Sequence, residues 1–225
     1  MKKGLEVNFS YNKIFEILST SDDTLKAFAV LELEEVKSEA DFELLIKHLT
    51  NCDGRLREIV SSKLVELGHC DWLLAHTETL LDALCDVNPN VARNIVELLE
   101  VTRLDLAEPF QEQLLQRIED ILATIEKHSK PKKWRTQKNH VLTKIIFHLY
   151  WCLEALALFS ATAPTDKLIK ILNTTSDFVD YTIREKTAKI LAKMPEAPEE
   201  LLSKMQNDDN FYVKLCFCDR IQNRT

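Results

Sequence analysis

Glycine is nearly absent from the chain. Gly4, Gly54 and Gly68 are its only glycines in 225 residues, against roughly 7% in ordinary domains. Few positions can therefore take φ > 0 turns or form phosphate-cradling loops, which argues against nucleotide-binding α/β folds and hairpin-rich β folds. Export signals are missing too: after Lys2 and Lys3 no continuous apolar stretch or small-residue cleavage site follows. The six cysteines, at 52, 70, 85, 152, 216 and 218, are then expected as reduced thiols in a cytoplasmic protein. No uninterrupted hydrophobic run marks a membrane span. The most apolar segment, 145–163, is broken by His148, Glu154, Ser160 and Thr162 and reads as a buried helix.

What is present is 45% hydrophobic and 29% charged residues, enough apolar content for a real core. The net charge of −7 argues against a chain wrapped wholesale around nucleic acid, because such binding depends on phosphate neutralisation. Apolar residues recur at helical spacing almost everywhere, as in Phe110, Leu114, Ile118, Ile121, Leu122 and Ile125. No strand-like alternation of useful length competes with them. Ser38 with Asp41 forms an Asp-bearing variant of the capping box, Pro109 stands near a helix start, and Gly68 suits a helix C-terminus.

Aligned with itself, the chain repeats. Residues 56–67 (LREIVSSKLVEL) match 183–194 (IREKTAKILAKM) without a gap, so that apolar positions and the Arg-Glu pair coincide. Looser copies start at Leu25, Val91 and Val213. An Asp or Asn stands four residues before the basic residue in four copies: Asp22 before Lys26, Asp53 before Arg57, Asp180 before Arg184 and Asn210 before Lys214. Such a residue caps the second helix of a helix pair. The copy at Val91 departs from this pattern, with Asn88-Pro89-Asn90 in the turn and its basic residue, Arg93, one place late.

These residues and the 30- to 35-residue period resemble the HEAT-repeat family. The resemblance implies an all-α, right-handed solenoid of about six helix pairs, in which each pair buries its apolar face against its neighbours. The expected organisation is one domain over 1–225, with an enlarged middle unit (105–160) holding a basic insert (127–140). Helices are expected over 105–127 and 141–160.

Residues 127–138 of that insert contain six basic residues and no acid. Lys130, Lys132, Lys133, Trp134, Arg135 and Lys138 are the candidate partner-binding residues, since cations around an aromatic suit an acidic protein surface or a phosphate backbone with base stacking. The plainer reading is a solvated loop whose cations complement the C-terminus of an acidic helix. Glu32, Glu34, Glu35, Glu39, Asp41 and Glu43 read as an exposed acidic ridge, because they spread over two helices and do not converge as cation ligands must. His48 with Cys52 and His148 with Cys152 are each four apart, but neither pair has a second half for a four-ligand zinc site. Phe147, Tyr150 and Trp151 are expected to fill the core of the middle unit.

No nucleophile elbow, glycine-rich loop or paired-carboxylate signature can be read from the spacing. The expected function is a non-enzymatic protein-protein interaction module or scaffold, without cofactor or metal. It would hold a protein or peptide on its concave face or its basic insert. The alternatives are enzymes on similar repeats: the alkylpurine DNA glycosylases, which hold DNA in a basic groove, and the HEAT-like bilin lyases. The acidic chain disfavours the first, and no diagnostic residue marks the second.

Overall fold

The computed structural model of the protein describes residues 9–68, 72–103, 108–128, 140–159 and 165–218. Twelve α-helices and no strand occur among them. They fall into two compact units, 1–102 and 103–225. The first contains α1 (Tyr11–Leu18), α2 (Asp23–Leu31), α3 (Glu39–Ile46), α4 (Gly54–Leu67), α5 (Thr77–Leu84) and α6 (Pro89–Thr102). The second contains α7 (Glu108–His128), α8 (His140–Phe159), α9 (Thr165–Ser176), α10 (Tyr181–Lys193), α11 (Glu199–Gln206) and α12 (Phe211–Leu215). The two long helices of the middle pair lie within one or three residues of their expected bounds.

In each unit the second helices of successive pairs stack: α2 on α4 on α6, and α8 on α10 on α12. Their packing follows the self-alignment position by position. Leu56, Val60, Ser61 and Leu64 are fully buried, and so are their counterparts Ile183, Thr187, Ala188 and Leu191. Thr187 replaces an apolar Val60 without leaving an orphaned hydroxyl, because its Oγ1 lies 2.8 Å from Thr175 Oγ1 and 3.0 Å from the Ile183 carbonyl.

The turns are built by the residues the repeat predicts. Asp22 accepts from the Leu25 N–H, Asp53 from those of Arg55 and Leu56, Asp180 from Thr182 and Asn210 from Tyr212. Each satisfies an N–H group that the helix start leaves without an intrahelical acceptor. The deviant turn does the same work, since Asn88 Oδ1 accepts from the Asn90 N–H at 3.0 Å. Gly68 ends α4 at φ +69°, its N–H donating to the Leu64 and Val65 carbonyls. Ser38 caps α3 and its hydroxyl donates to Asp41, which also accepts from Tyr11. Burial, then the hydrogen bond to Asp41, pushes the Tyr11 phenol up to about 12.

Helix α8 is long and apolar enough, by length and composition, to cross a membrane, with a mean hydropathy of 1.5. Within unit 2 it packs on α7 and α10, burying Leu149, Cys152, Leu153 and Leu156. Phe147, Tyr150 and Trp151 are partly buried. They make an edge-on cluster, with Trp151 perpendicular to both neighbours at 6.1 and 5.3 Å.

Candidate functional site

The partly buried charges of the repeat turns are committed to holding neighbours together. Arg57 donates through Nε and a terminal nitrogen to the two oxygens of Asp86, at 2.5 and 2.9 Å, and through its other nitrogen to the carbonyls of Asn51 and Cys52. Arg184 repeats the arrangement in the second unit. Its fork grips Asp208 at 2.7 and 3.0 Å, and its remaining nitrogen reaches the carbonyls of Phe178 and Val179. Bidentate pairing of this kind is the strong form of the arginine-carboxylate bond. It holds the Asp208 carboxyl down at about 2. At the first turn the same link is made by Asp23, which accepts from both Lys26 and Asn51.

The deviant repeat at Val91 uses amides in place of an arginine. Asn88 and Asn90 each donate to one oxygen of Glu58 at 2.9 Å, and Asn94 donates to Ser61 at 3.0 Å. On α8 and α10, Glu154 is bridged by Lys189 and by Lys186, the latter 2.9 Å away and also placed over the Tyr150 ring. Burial alone would raise the Glu154 carboxyl, and the bonds from the two lysines reverse that direction. For Lys186 burial works downward, and the Glu154 and Tyr150 bonds leave it raised.

Against this background the surface feature that stands out is aromatic. Tyr181 opens α10 and Phe211 and Tyr212 open α12, with exposures of 41%, 65% and 58%. The Tyr181 and Tyr212 rings stack at 6.3 Å, and Phe211 meets Tyr212 edge-on at 5.7 Å. Val179 extends this ridge, and the Asp209 carboxylate beside it is 94% exposed. The fold does not require rings there. The same position after the cap is held in unit 1 by Asp23, Gly54 and Pro89, and those turns form equally well.

The sequence-derived candidates fall elsewhere. Lys130, Lys132, Lys133, Trp134, Arg135 and Lys138 lie outside the described residues. Glu32, Glu34, Glu35, Glu39 and Glu43 are exposed, as a solvated acidic ridge would be, while Asp41 is drawn into the α1 to α3 contact. His48 is buried with Nε2 at 3.1 Å from the Leu18 carbonyl, and Cys52 is exposed in the next turn. No group of three His, Cys, Asp or Glu side chains converges on a common point among the described residues. Sequence reasoning passed over Asp86 and Asp208, whose signal is the Asp-x-Asn spacing to the next cap, and the three ridge rings.

Two solved structures of engineered proteins follow this arrangement over nearly the whole chain. One has a TM-score of 0.53 at 13% identity, the other 0.50 at 12%, each covering 94% of this chain and 96% of its own. The fold is an all-α helical repeat. The CpcE and CpcF complex of phycocyanin lyase from Nostoc sp. is also similar, at 19% identity and a TM-score of 0.49 over 95% of this chain and 76% of that one. No protein-family model matches the sequence, and no curated protein matches it.

Proposed function

We propose that the chain is a HEAT-like, non-enzymatic interaction module of the cytoplasm that holds a partner protein. The observation that carries this reading is the ridge of Tyr181, Phe211 and Tyr212. Three large rings are kept in solvent at helix starts where the repeat needs none, and exposed apolar groups in contiguous patches mark association surfaces. Stacked and edge-on contacts hold the rings in place before binding, so little side-chain entropy is lost on docking. Tyrosine is among the residues enriched at binding hot spots, since one ring supplies both apolar area and a polar tip. The committed state of Arg57, Arg184 and Glu154 supports the same reading, because these groups serve the stacking of repeats. The basic insert, through Lys130, Lys132, Lys133, Trp134, Arg135 and Lys138, is assigned a second contact with the acidic surface of that partner.

The test is affinity capture with three proteins: the wild type, the double variant Phe211→Ala/Tyr212→Ala, and a variant with the five basic residues of the insert changed to Ser. A protein that binds the wild type, rebinds it after purification and is lost by the ring variant is the expected outcome. A titration with duplex DNA across salt runs beside it. Salt-dependent DNA binding by the wild type, with capture unaffected by either variant, would overturn the proposal and direct attention to base excision.

A further inference from the structure

The stack of second helices in the first unit begins on an uncovered face. At the joint before α10, Lys186, Lys189 and Lys193 all reach back to α8, the first two to Glu154 and the third to the Ala157 carbonyl at 2.9 Å. Counted from the capping residues Asp22 and Asp180, the positions of Ile183, Lys186 and Lys189 fall in α2 on Leu25, Phe28 and Leu31. Side chains three apart along one helix share a face. These three are 37%, 53% and 52% exposed. Leu56, Val91, Ile183 and Val213, which open the copies that do have an earlier neighbour, are fully buried. Leu25 is therefore open because no second helix stands before α2 among the described residues.

Helix α12 shows the opposite face. Arg57, Glu58 and Ser61 reach forward from α4 to residues 86–94, and Arg184 and Glu185 reach forward from α10 to Asp208 and Cys216. Their counterparts after the cap Asn210 are Lys214, Leu215 and Cys218. All three are exposed, and no element follows α12 among the described residues. A backward face and a forward face of one repeat type fit each other, since the chain already joins them at α2 to α4 and at α10 to α12. Charge favours this pairing over two α2 faces meeting. Glu32, Glu34 and Glu35, exposed just past Leu31, would then be set against their own copies, whereas α12 brings Lys214 toward the exposed Asp22 carboxylate.

We propose that a second copy of this chain docks its α12 face on the α2 face, so that copies associate head to tail. Phe28 and Leu31 meet Leu215, and Lys214 meets Asp22. Such a contact is heterologous, and each copy keeps one face for the next unless the ends close into a ring. The proposal is independent of the aromatic ridge: a chain that stays monomeric yet captures a partner would end it and leave the interaction reading standing.

Sedimentation velocity on the full chain over about a hundredfold range of concentration tests this. Phe28→Glu blocks the α2 face and Leu215→Glu the α12 face, each at an exposed site. The expected result is a wild type whose mass at least doubles as concentration rises, and two single variants that stay monomeric. An equimolar mixture of the two variants should form dimers and nothing larger, because one joint alone is left intact. A wild type that is monomeric throughout, or whose assembly neither variant reduces, overturns the proposal. A mixture that stays monomeric overturns it too, as does a dimer lost in F28E and kept in L215E, which would set two α2 faces against each other. Should F28E or L215E melt below the wild type by circular dichroism, Leu31→Glu and Lys214→Glu, at exposed positions of the same two faces, take their places.

Discussion

Arg184 shows how much one side chain carries. It spans the Asp208 carboxylate and two carbonyls, so truncation to Ala leaves several acceptors without donors. Arg184→Ala is expected to cost about 3 to 5 kcal/mol in denaturant unfolding, the range for breaking a largely buried pair, with Arg57→Ala similar. Arg184→Lys should recover less than half, because an ammonium cannot match both carboxylate oxygens and the carbonyls at once. The Asp208 carboxyl is held at about 2 in the folded chain, against roughly 3.9 when unfolded. A lowered carboxyl stabilises above its unfolded value and loses that contribution as pH falls through its folded one. The Asp208 contribution should therefore be flat above about pH 5 and decline by about 2 kcal/mol between pH 4 and 2. Asp208→Asn should flatten that part of the curve in urea titrations at several pH values.

At the scale of helices, turns decide. Gly68 closes α4 at φ +69° with open space around the position where a Cβ would stand. Strain alone then sets the outcome, and Gly68→Ala is expected to cost about 1 to 2 kcal/mol, read as a lower thermal midpoint with unchanged helical content at low temperature. Helix positions and caps were legible because period and cap residues act locally: Asp22, Asp53, Asp180 and Asn210 all cap as their spacing foretells. The links between repeats were not legible. Arg57 meets Asp86 across 29 positions, and Glu58 collects asparagines from 30 and 32 positions away; the repeat period says which copies are neighbours, but not which of their polar side chains meet. The depth of the α8 rings was not legible either: helical spacing says that side chains share a face, and only the neighbouring helices decide how deeply that face is covered. The ridge went unseen because an aromatic in the first turn looks the same in sequence whether it points into a core or into water.

At the scale of the whole molecule, the turn links described in the first unit close inside it. The pairs Asp23 with Asn51, Arg57 with Asp86, and Glu58 with Asn88 and Asn90 all close within residues 1–102. A fragment of residues 1–102 is accordingly expected to be helical and to melt in one cooperative transition, by circular dichroism, as stacked repeats with intact nearest-neighbour interfaces do. A noncooperative melt would show that its repeats need support from outside the fragment. The carboxylate that receives an arginine from the previous repeat also closes its own turn, Asp86 accepting from the Asn88 N–H and Asp208 from the Asn210 N–H. Each such repeat thus carries a socket at its entry, and those with Arg57 and Arg184 present a plug to the one that follows. A connector with this polarity travels with the segment that encodes it. A stretch cut from one socket to the next and inserted in frame would bring a matched joint, so the array could lengthen by duplication without inventing an interface.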